Sequence, residues 1–320
     1  MPSPCGGVSV SRTVSVVVPI HDRAERVTGA VESVHAQTTE DWELILVDDG
    51  STDGSGAVVD EHAAADERVR AIHHETNRGI SAARNTGIDA ATGEYVCALD
   101  SDDRWRPRKL ERQLARMAQL GDDYCGCYTA GVTYDANGEI REHVRTAAEG
   151  DLWPDILVDH DFRPHSSHMV RRACLDEVGG YDEAFPRGVD WEIAIRLARR
   201  WKVAYVDRVL VERQFADDNV SGGSTIGNPT YQVDIRERLA GKFADAFERH
   251  PDVARRFDAR LAKHRGLAAL DRGERLAAAR RLGWATRLEP TASHAVMTLL
   301  ALGGQRAYRV GWRLKNAVVS

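Results

Sequence analysis

Three acidic clusters in this chain sit where carboxylates can do chemistry. Asp48-Asp49-Gly50-Ser51-Thr52-Asp53 follows directly on an apolar run, residues 42–47 (WELILV). A carboxylate there can accept from base or ribose donors, and Gly50 lets the backbone turn. The same residues also suit a helix cap, with Thr52 or Asp53 opening the next helix. Asp100-Ser101-Asp102-Asp103 follows the run 95–99 (YVCAL). Carboxylates so crowded repel one another unless a cation sits among them. A hard divalent ion such as Mg²⁺ or Mn²⁺ takes one or two protein carboxylates and completes its octahedron with water and phosphate oxygens. A solvated acidic loop is the competing reading, disfavoured by its position straight after an apolar strand. The third cluster is Gly188-Val189-Asp190-Trp191-Glu192 at the start of a helical pattern. Asp190 there is either an N-cap or a general base projecting into a pocket.

Between the first two clusters lies Asn77-Arg78-Gly79-Ile80-Ser81-Ala82-Ala83-Arg84-Asn85-Thr86-Gly87. Small residues at a helix N-terminus admit a phosphate or sugar, and an arginine offers charge-assisted hydrogen bonds. Tight helix–sheet packing through Gly79, Ala82 and Ala83 explains the same pattern. His160, His165 and His168 lack the partners of a closed zinc site, so they read as acceptor-pocket lining or structural histidines. Five cysteines, an odd number with no zinc-knuckle spacing, read as reduced thiols of a cytosolic protein, several of them buried.

The elements that must position these residues are legible in the periodicity. Residues 14–19 (VSVVVP), 42–47, 69–73 and 95–99 read as strands, and 24–36, 55–65 and 80–91 as helices. Such alternation predicts a doubly wound, mostly parallel α/β sheet with ligands at the strands' carboxyl ends. After Pro107 the pattern gives a helix (109–120), a hairpin turning at Asn137-Gly138 (124–133 with 139–145), a helix (191–201) and a strand (203–211). The chain has 320 residues and a net charge of −6, which argues against a nucleic-acid binder. The charge is uneven: residues 242–315 hold 16 Lys+Arg against 7 Asp+Glu, leaving the rest acidic.

In order and spacing, VSVVVPIHDR, ELILVDDGSTD, NRGISAARNTG, GEYVCALDSDD, GGYDEAF and VDWEIAIRLA resemble the family 2 inverting glycosyltransferases. The resemblance spans about residues 14–214 and implies a GT-A fold, a Rossmann-like α/β domain that binds a nucleotide-sugar. It implies that Pro19 and His21 line the nucleobase pocket, that Asp49, with Asp48 beside it, binds uracil or ribose, and that Asn77 and Arg84 contact the nucleotide. Asp100 and Asp102 would form the DxD motif, with Asp102 on Mg²⁺ or Mn²⁺ and Asp100 on donor ribose or metal. Asp190 would be the catalytic base; His168 and Trp191 are weaker acceptor candidates. Two positions depart from the family pattern. Val189 stands where an acidic residue usually precedes the base, and Glu212-Arg213-Gln214-Phe215 replaces Tyr-Arg-x-His.

The implied function is inverting transfer of a sugar from a nucleotide-diphosphate donor, a UDP-sugar by default, to a hydroxyl of a glycan or lipid-linked acceptor. A catalytically degenerate nucleotide-sugar-binding module is the alternative. The absence of a GxGxxG after any strand argues against a nicotinamide dehydrogenase. The expected organisation is a flexible N-terminus (1–13), a GT-A domain (14–221), a linker (222–230) and a helical region (231–320). No apolar run reaches the ~20 residues of a membrane span, and no secretion signal opens the chain. Asn219-Val220-Ser221 is therefore read as a chance sequon. The run 295–302 (AVMTLLAL), followed by Arg306, Tyr308, Arg309, Trp312, Arg313 and Lys315, suits either a membrane interface or a helical cap on the α/β domain. The expected location is cytoplasmic, peripheral to the inner face of the cell membrane, with no nucleic-acid partner.

Overall fold

The computed structural model describes residues 13–214 and 228–304. The N-terminal segment before residue 13, most of the expected linker, Cys5, the sequon at Asn219, Phe215 and the basic residues from Arg306 to Lys315 lie outside the described residues. Two compact units are present: Met1–Leu152 with Asp161–Gln214, and Trp153–His160 with Phe215–Ser320.

The first unit is built on a nine-stranded sheet. Its elements run β1 (Val14–Ile20), α1 (Ala24–His35), β2 (Trp42–Asp48), α2 (Ser55–Ala65), β3 (Val69–His73), α3 (Ile80–Ala90), β4 (Tyr95–Ala98), β5 (Asp103–Trp105), α4 (Lys109–Met117), β6 (Tyr124–Tyr134), β7 (Ile140–Val144), β8 (Met169–Arg171), α5 (Arg172–Val178), α6 (Val189–Ala198) and β9 (Lys202–Gln214). The order is β3-β2-β1-β4-β8-β6-β9-β5, with β7 on β6. The β3-β2-β1-β4 half is parallel, and every residue of β1 and β2 is buried. That explains their unbroken Val/Leu/Ile composition, since helices cover both faces. The order reverses between β1 and β4, the switch point beyond whose carboxyl ends ligands usually bind in such sheets.

Two glycines let layers meet. A Cβ on Gly87 would lie 2.2 Å from Val17 Cγ1, so α3 rests directly on β1. One on Gly126 would lie 2.2 Å from the Met169 carbonyl oxygen, so β6 and β8 pair only because no side chain intervenes. The expected hairpin is β6–β7, turning at Gly138 with φ +81° while Asp135 Oδ1 accepts from the Asn137 and Glu139 amides. The four cysteines among the described residues are buried and unpaired. Strands β5 and β8 and helix α5 escape the sequence pattern, because three-residue strands are too short to show a period.

The second unit is helical: α7 (Pro229–Lys242), α8 (Ala244–Arg249), α9 (Pro251–Asp271), α10 (Arg275–Leu288) and α11 (Ala292–Leu302). Asn228 caps α7 by accepting from Tyr231 N, with Pro229 in the first turn, and Thr291 caps α11. Ala269, Leu270, Ala278, Leu282, Met297 and Ala301 form its core. Arg260 ties Asp159 to Glu289.

His264 makes the stability of this unit depend on pH. Burial, and then the charges of Arg236, Lys263 and Arg260, push its pKa down to about 3. Its native pKa lies below the unfolded value, so below about pH 6.5 the unfolded chain takes up a proton that the native one refuses. Stability therefore falls as pH drops from about 6.5 towards 3, by on the order of 1–2 kcal/mol for a histidine that keeps some contact with water. Denaturant melts at pH 7 and pH 5 check this: His264→Phe is expected to flatten the difference, and an unchanged difference would refute the assignment.

Candidate functional site

The loops after β1 and β2 are sewn together. The Asp49 amide donates to Ile20 O, Thr52 N to Asp22 Oδ1, Asp22 N to Ser51 Oγ and Arg23 N to Ser55 Oγ. Asp53 takes the Ala24 amide on one oxygen and the Ser55 amide and hydroxyl on the other, so it anchors the starts of both α1 and α2. The formal N-cap of α2 is Gly54, with φ +95°. Gly50 has φ +68°, and a Cβ there would lie 2.5 Å from the Thr76 carbonyl carbon, so the turn after Asp49 needs a glycine.

Asp48 and Asp49 are both turned inward. Asp48 accepts from Ser51 N and meets His73 Nδ1 at 3.1 Å. Asp49 meets His74 Nδ1 at 2.7 Å and accepts from the Arg78 and Gly79 amides, each at 2.8 Å. With its side chain only 4% exposed, Asp49 holds the 74–79 loop at the entrance to α3. His21 sits beside it, Nδ1 3.0 Å from Asp49 O, and stays 41% exposed. Asn77 is exposed, its Oδ1 accepting from Gly79 N. Pro19 is buried within β1.

The acidic loop after β4 is held by arginines and a serine. Arg84, 4% exposed on α3, donates from Nη2 to Asp100 Oδ1 at 2.7 Å. Ser166, fully buried, accepts the Asp100 amide on Oγ and donates the hydroxyl to Asp103 Oδ2 at 2.6 Å. Trp105 Nε1 donates to Ser166 O, closing the loop. Asp103 opens β5 opposite Arg213 of β9, whose Nε lies 3.6 Å from Asp103 Oδ2. Burial raises the Asp103 carboxyl well above its ordinary range, against the pull of Arg213. Asp102 is also raised, by burial and then by Asp100, with Arg213 and Arg23 acting in the opposite sense.

Asp190 stands in the first turn of α6, behind Gly188 with φ +69°. Gly188, not Asp190, is therefore the N-cap. The charge of Asp190 acts on both Arg84 and Tyr181, so the α6 start and the acidic loop share one electrostatic environment. Arg84 lies 5.2 Å from the Tyr181 ring centroid, and Tyr181 OH meets His165 Nε2 at 3.0 Å. Two clamps fix the approach to α6. Asn85 exchanges hydrogen bonds with the Tyr181 backbone, and Arg196, bidentate on the fully buried Glu192, donates to Val178 O and Gly180 O.

The model for Glycosyl transferase family 2 matches residues 15–179, half of the sequence. The chain belongs to glycosyl transferase family 2. Among curated relatives, glycosyltransferase GlyG of Streptococcus pneumoniae is 43% identical over 114 residues, covering 36% of this chain and 38% of that protein. Chondroitin synthase of Escherichia coli is 27% identical over 216 residues, covering 65% of this chain and 30% of that protein. The chain thus spans well under half the length of these relatives. Among solved structures, S. aureus TarS 1–349 in complex with UDP-GlcNAc superposes with a TM-score of 0.61 at 18% identity, over 86% of this chain and 81% of that one. The mannosyltransferase PcManGT of Pyrobaculum calidifontis, in complex with GDP-Man and Mn²⁺, gives 0.58 at 18% identity, over 97% and 88%. At that identity the likeness bears on the fold, which is of the GT-A type.

Within this family 2 fold the residues fit a divalent cation of the open kind. Burial, and then Asp100, push the Asp102 carboxyl up despite Arg213 and Arg23, the setting that a bound cation would relieve, and Arg84 engages Oδ1 of Asp100. Among the described residues no group of three His, Cys, Asp or Glu side chains forms a closed site. Two carboxylates with phosphate and water completing the shell are the type that suits Mg²⁺. The crowding argument from sequence needs one amendment. The guanidiniums of Arg213 and Arg84 lie against Asp103 and Asp100, so arginines already meet part of the loop's negative charge.

The two acceptor candidates are both buried. His168 is 3% exposed, stacked on Phe162 at 3.8 Å with Nε2 2.7 Å from Phe162 O. Trp191 is 4% exposed. Sequence reasoning gave no role to Ser166 or Arg23 and did not find the partners of Tyr181, Asn85 and Arg213, which it met only within motifs. Each matters through a partner remote in sequence, and no local pattern marks such a pairing.

Proposed function

We propose that this chain transfers a sugar from a nucleotide-diphosphate donor, a UDP-sugar, to a hydroxyl of a glycan or lipid-linked acceptor with inversion at the anomeric carbon. The observation that carries the reading is the buried Arg84, which donates to Asp100 at the end of β4 at 2.7 Å and lies 5.2 Å from the Tyr181 ring, on the stretch that leads to Asp190 in the first turn of α6. Asp190 takes the acceptor hydroxyl proton as that oxygen attacks, and a single displacement inverts the centre. A divalent cation held by Asp102 and Asp100 would supply charge neutralisation to the diphosphate leaving group. Arg84 orients Asp100, while His21, Asp48, Asp49 and Asn77 shape the nucleoside side of the site, with Pro19 behind them. His21 stacks on the base where the family often has a tyrosine.

Calorimetric titration with UDP, GDP and dTDP, in Mn²⁺ or Mg²⁺ and then in EDTA, tests the donor and metal parts together. UDP is expected to bind in metal at least about tenfold more tightly than in EDTA, as befits losing a charge-neutralising ion, and Asp102→Ala is expected to remove the difference. A folded sample that binds no nucleotide in metal would overturn the proposal. Binding of GDP or dTDP alone would keep the transferase and replace the donor.

A further inference from the structure

Helix α11 carries no charged side chain, in a chain whose composition is 29% charged. His294, Met297 and Ala301 face inward, while Val296, Leu299 and Leu302 are 49%, 68% and 54% exposed. These three recur at steps that put them on one side of the helix. Helix α10 packs alongside, with Thr286 and Thr298 hydroxyls 3.2 Å apart. Its own exposed stripe, at four-residue steps, is Leu276 (76%), Arg280 and Trp284 (53%), with Arg287 continuing it. Among the described residues, the ion pairs of this unit engage other arginines, among them Arg236, Arg256, Arg260, Arg265 and Arg272, and none is formed by Arg280 or Arg287. The sequence beyond, 305–320, adds Arg306, Arg309, Arg313 and Lys315, no acidic residue, and Tyr308 and Trp312.

We propose that α10 and α11 dock this face on an anionic lipid bilayer, lying on it without crossing it. No helix among the described residues is long and apolar enough to span a membrane. Leu299, Leu302 and Val296 would enter the acyl boundary and Trp284 the headgroup layer, while Arg280 and Arg287 meet lipid phosphates. Charge favours this occupant over a second copy of the chain, because a two-fold contact repeats the same patch on both sides and sets arginines against arginines. The inference does not rest on the transferase reading, since it concerns other residues and its readout is vesicle binding.

The test is co-sedimentation of the full chain with phosphatidylglycerol–phosphatidylcholine vesicles and with phosphatidylcholine vesicles alone. Binding is expected to be at least about tenfold tighter to the anionic vesicles and to weaken with salt. Leu299→Ser with Leu302→Ser is expected to lose roughly tenfold or more, and Arg280→Glu with Arg287→Glu about fivefold or more per position, each with an unchanged circular dichroism spectrum. A folded chain that stays in the supernatant with anionic vesicles overturns the proposal, as does equal binding by the double-serine variant. A concentration-dependent dimer that Leu299→Ser dissolves, without vesicle binding, would give the face to a second copy and also overturn it.

Discussion

Asp190→Asn is expected to lower turnover of the nucleotide-sugar, including its slow hydrolysis to free sugar and nucleotide diphosphate, by roughly 10²–10⁴-fold. Asparagine keeps the size and shape of the side chain but cannot take a proton. The α6 start is held by elements the substitution does not touch: Gly188 at the cap, the Glu192–Arg196 pair and the Asn85–Tyr181 exchange. Metal-dependent UDP affinity is therefore expected to stay within about threefold, the scale of losing one charge near an arginine already paired with Asp100. Release of nucleotide diphosphate and calorimetric UDP binding, measured on one preparation, separate chemistry from binding. A weak background release that does not change in the variant would remove Asp190 as the base and favour the nucleotide-sugar-binding module without catalysis.

Arg213→Met is expected to destabilise the first unit by about 2–4 kcal/mol, towards the lower end of what removing one partner from a buried ion pair costs. Asp103 is 4% exposed, and Arg213 across the β5–β9 pair and the Ser166 hydroxyl favour its charged form against the upward push of burial. Methionine matches the arginine stem but leaves the carboxylate facing its neighbours Asp100 and Asp102 alone. The side chain of Arg213 is 32% exposed, so water can take over part of its role. The decisive comparison is the double variant Arg213→Met with Asp103→Asn. Removing both charges is expected to recover at least half of the lost stability in denaturant melts. Additive losses in the double variant would mean that the pair is not coupled and that Arg213 acts through other contacts.

Much of this architecture is local and was readable as such. Strands β1 and β2 are buried on both faces, which forces continuous apolar runs, and amphipathic helices between them leave a period that needs no partner to recognise. The positions of Asp48, Asp100 and Asp190, each close to the end or start of an element, follow from that period alone. What those carboxylates face did not follow. Sequence spacing allowed Asp53 to be a simple cap and Asp190 an N-cap. In the fold Asp53 ties two helices together, and Gly188 takes the cap position.

The charge balance of the acidic loop was likewise a tertiary decision. Crowded carboxylates announce that a cation is needed, but not which. Arg84 reaches Asp100 only because Gly87 lets α3 settle on β1, and Arg213 reaches Asp103 only because β5, too short to be seen as a strand, pairs with the far end of β9. Electrostatic interactions act through space, whereas hydrophobic period is written along the chain. The sequence by itself therefore determined the layers and the family pattern, while the folded packing decided which arginine each carboxylate of the acidic loop faces.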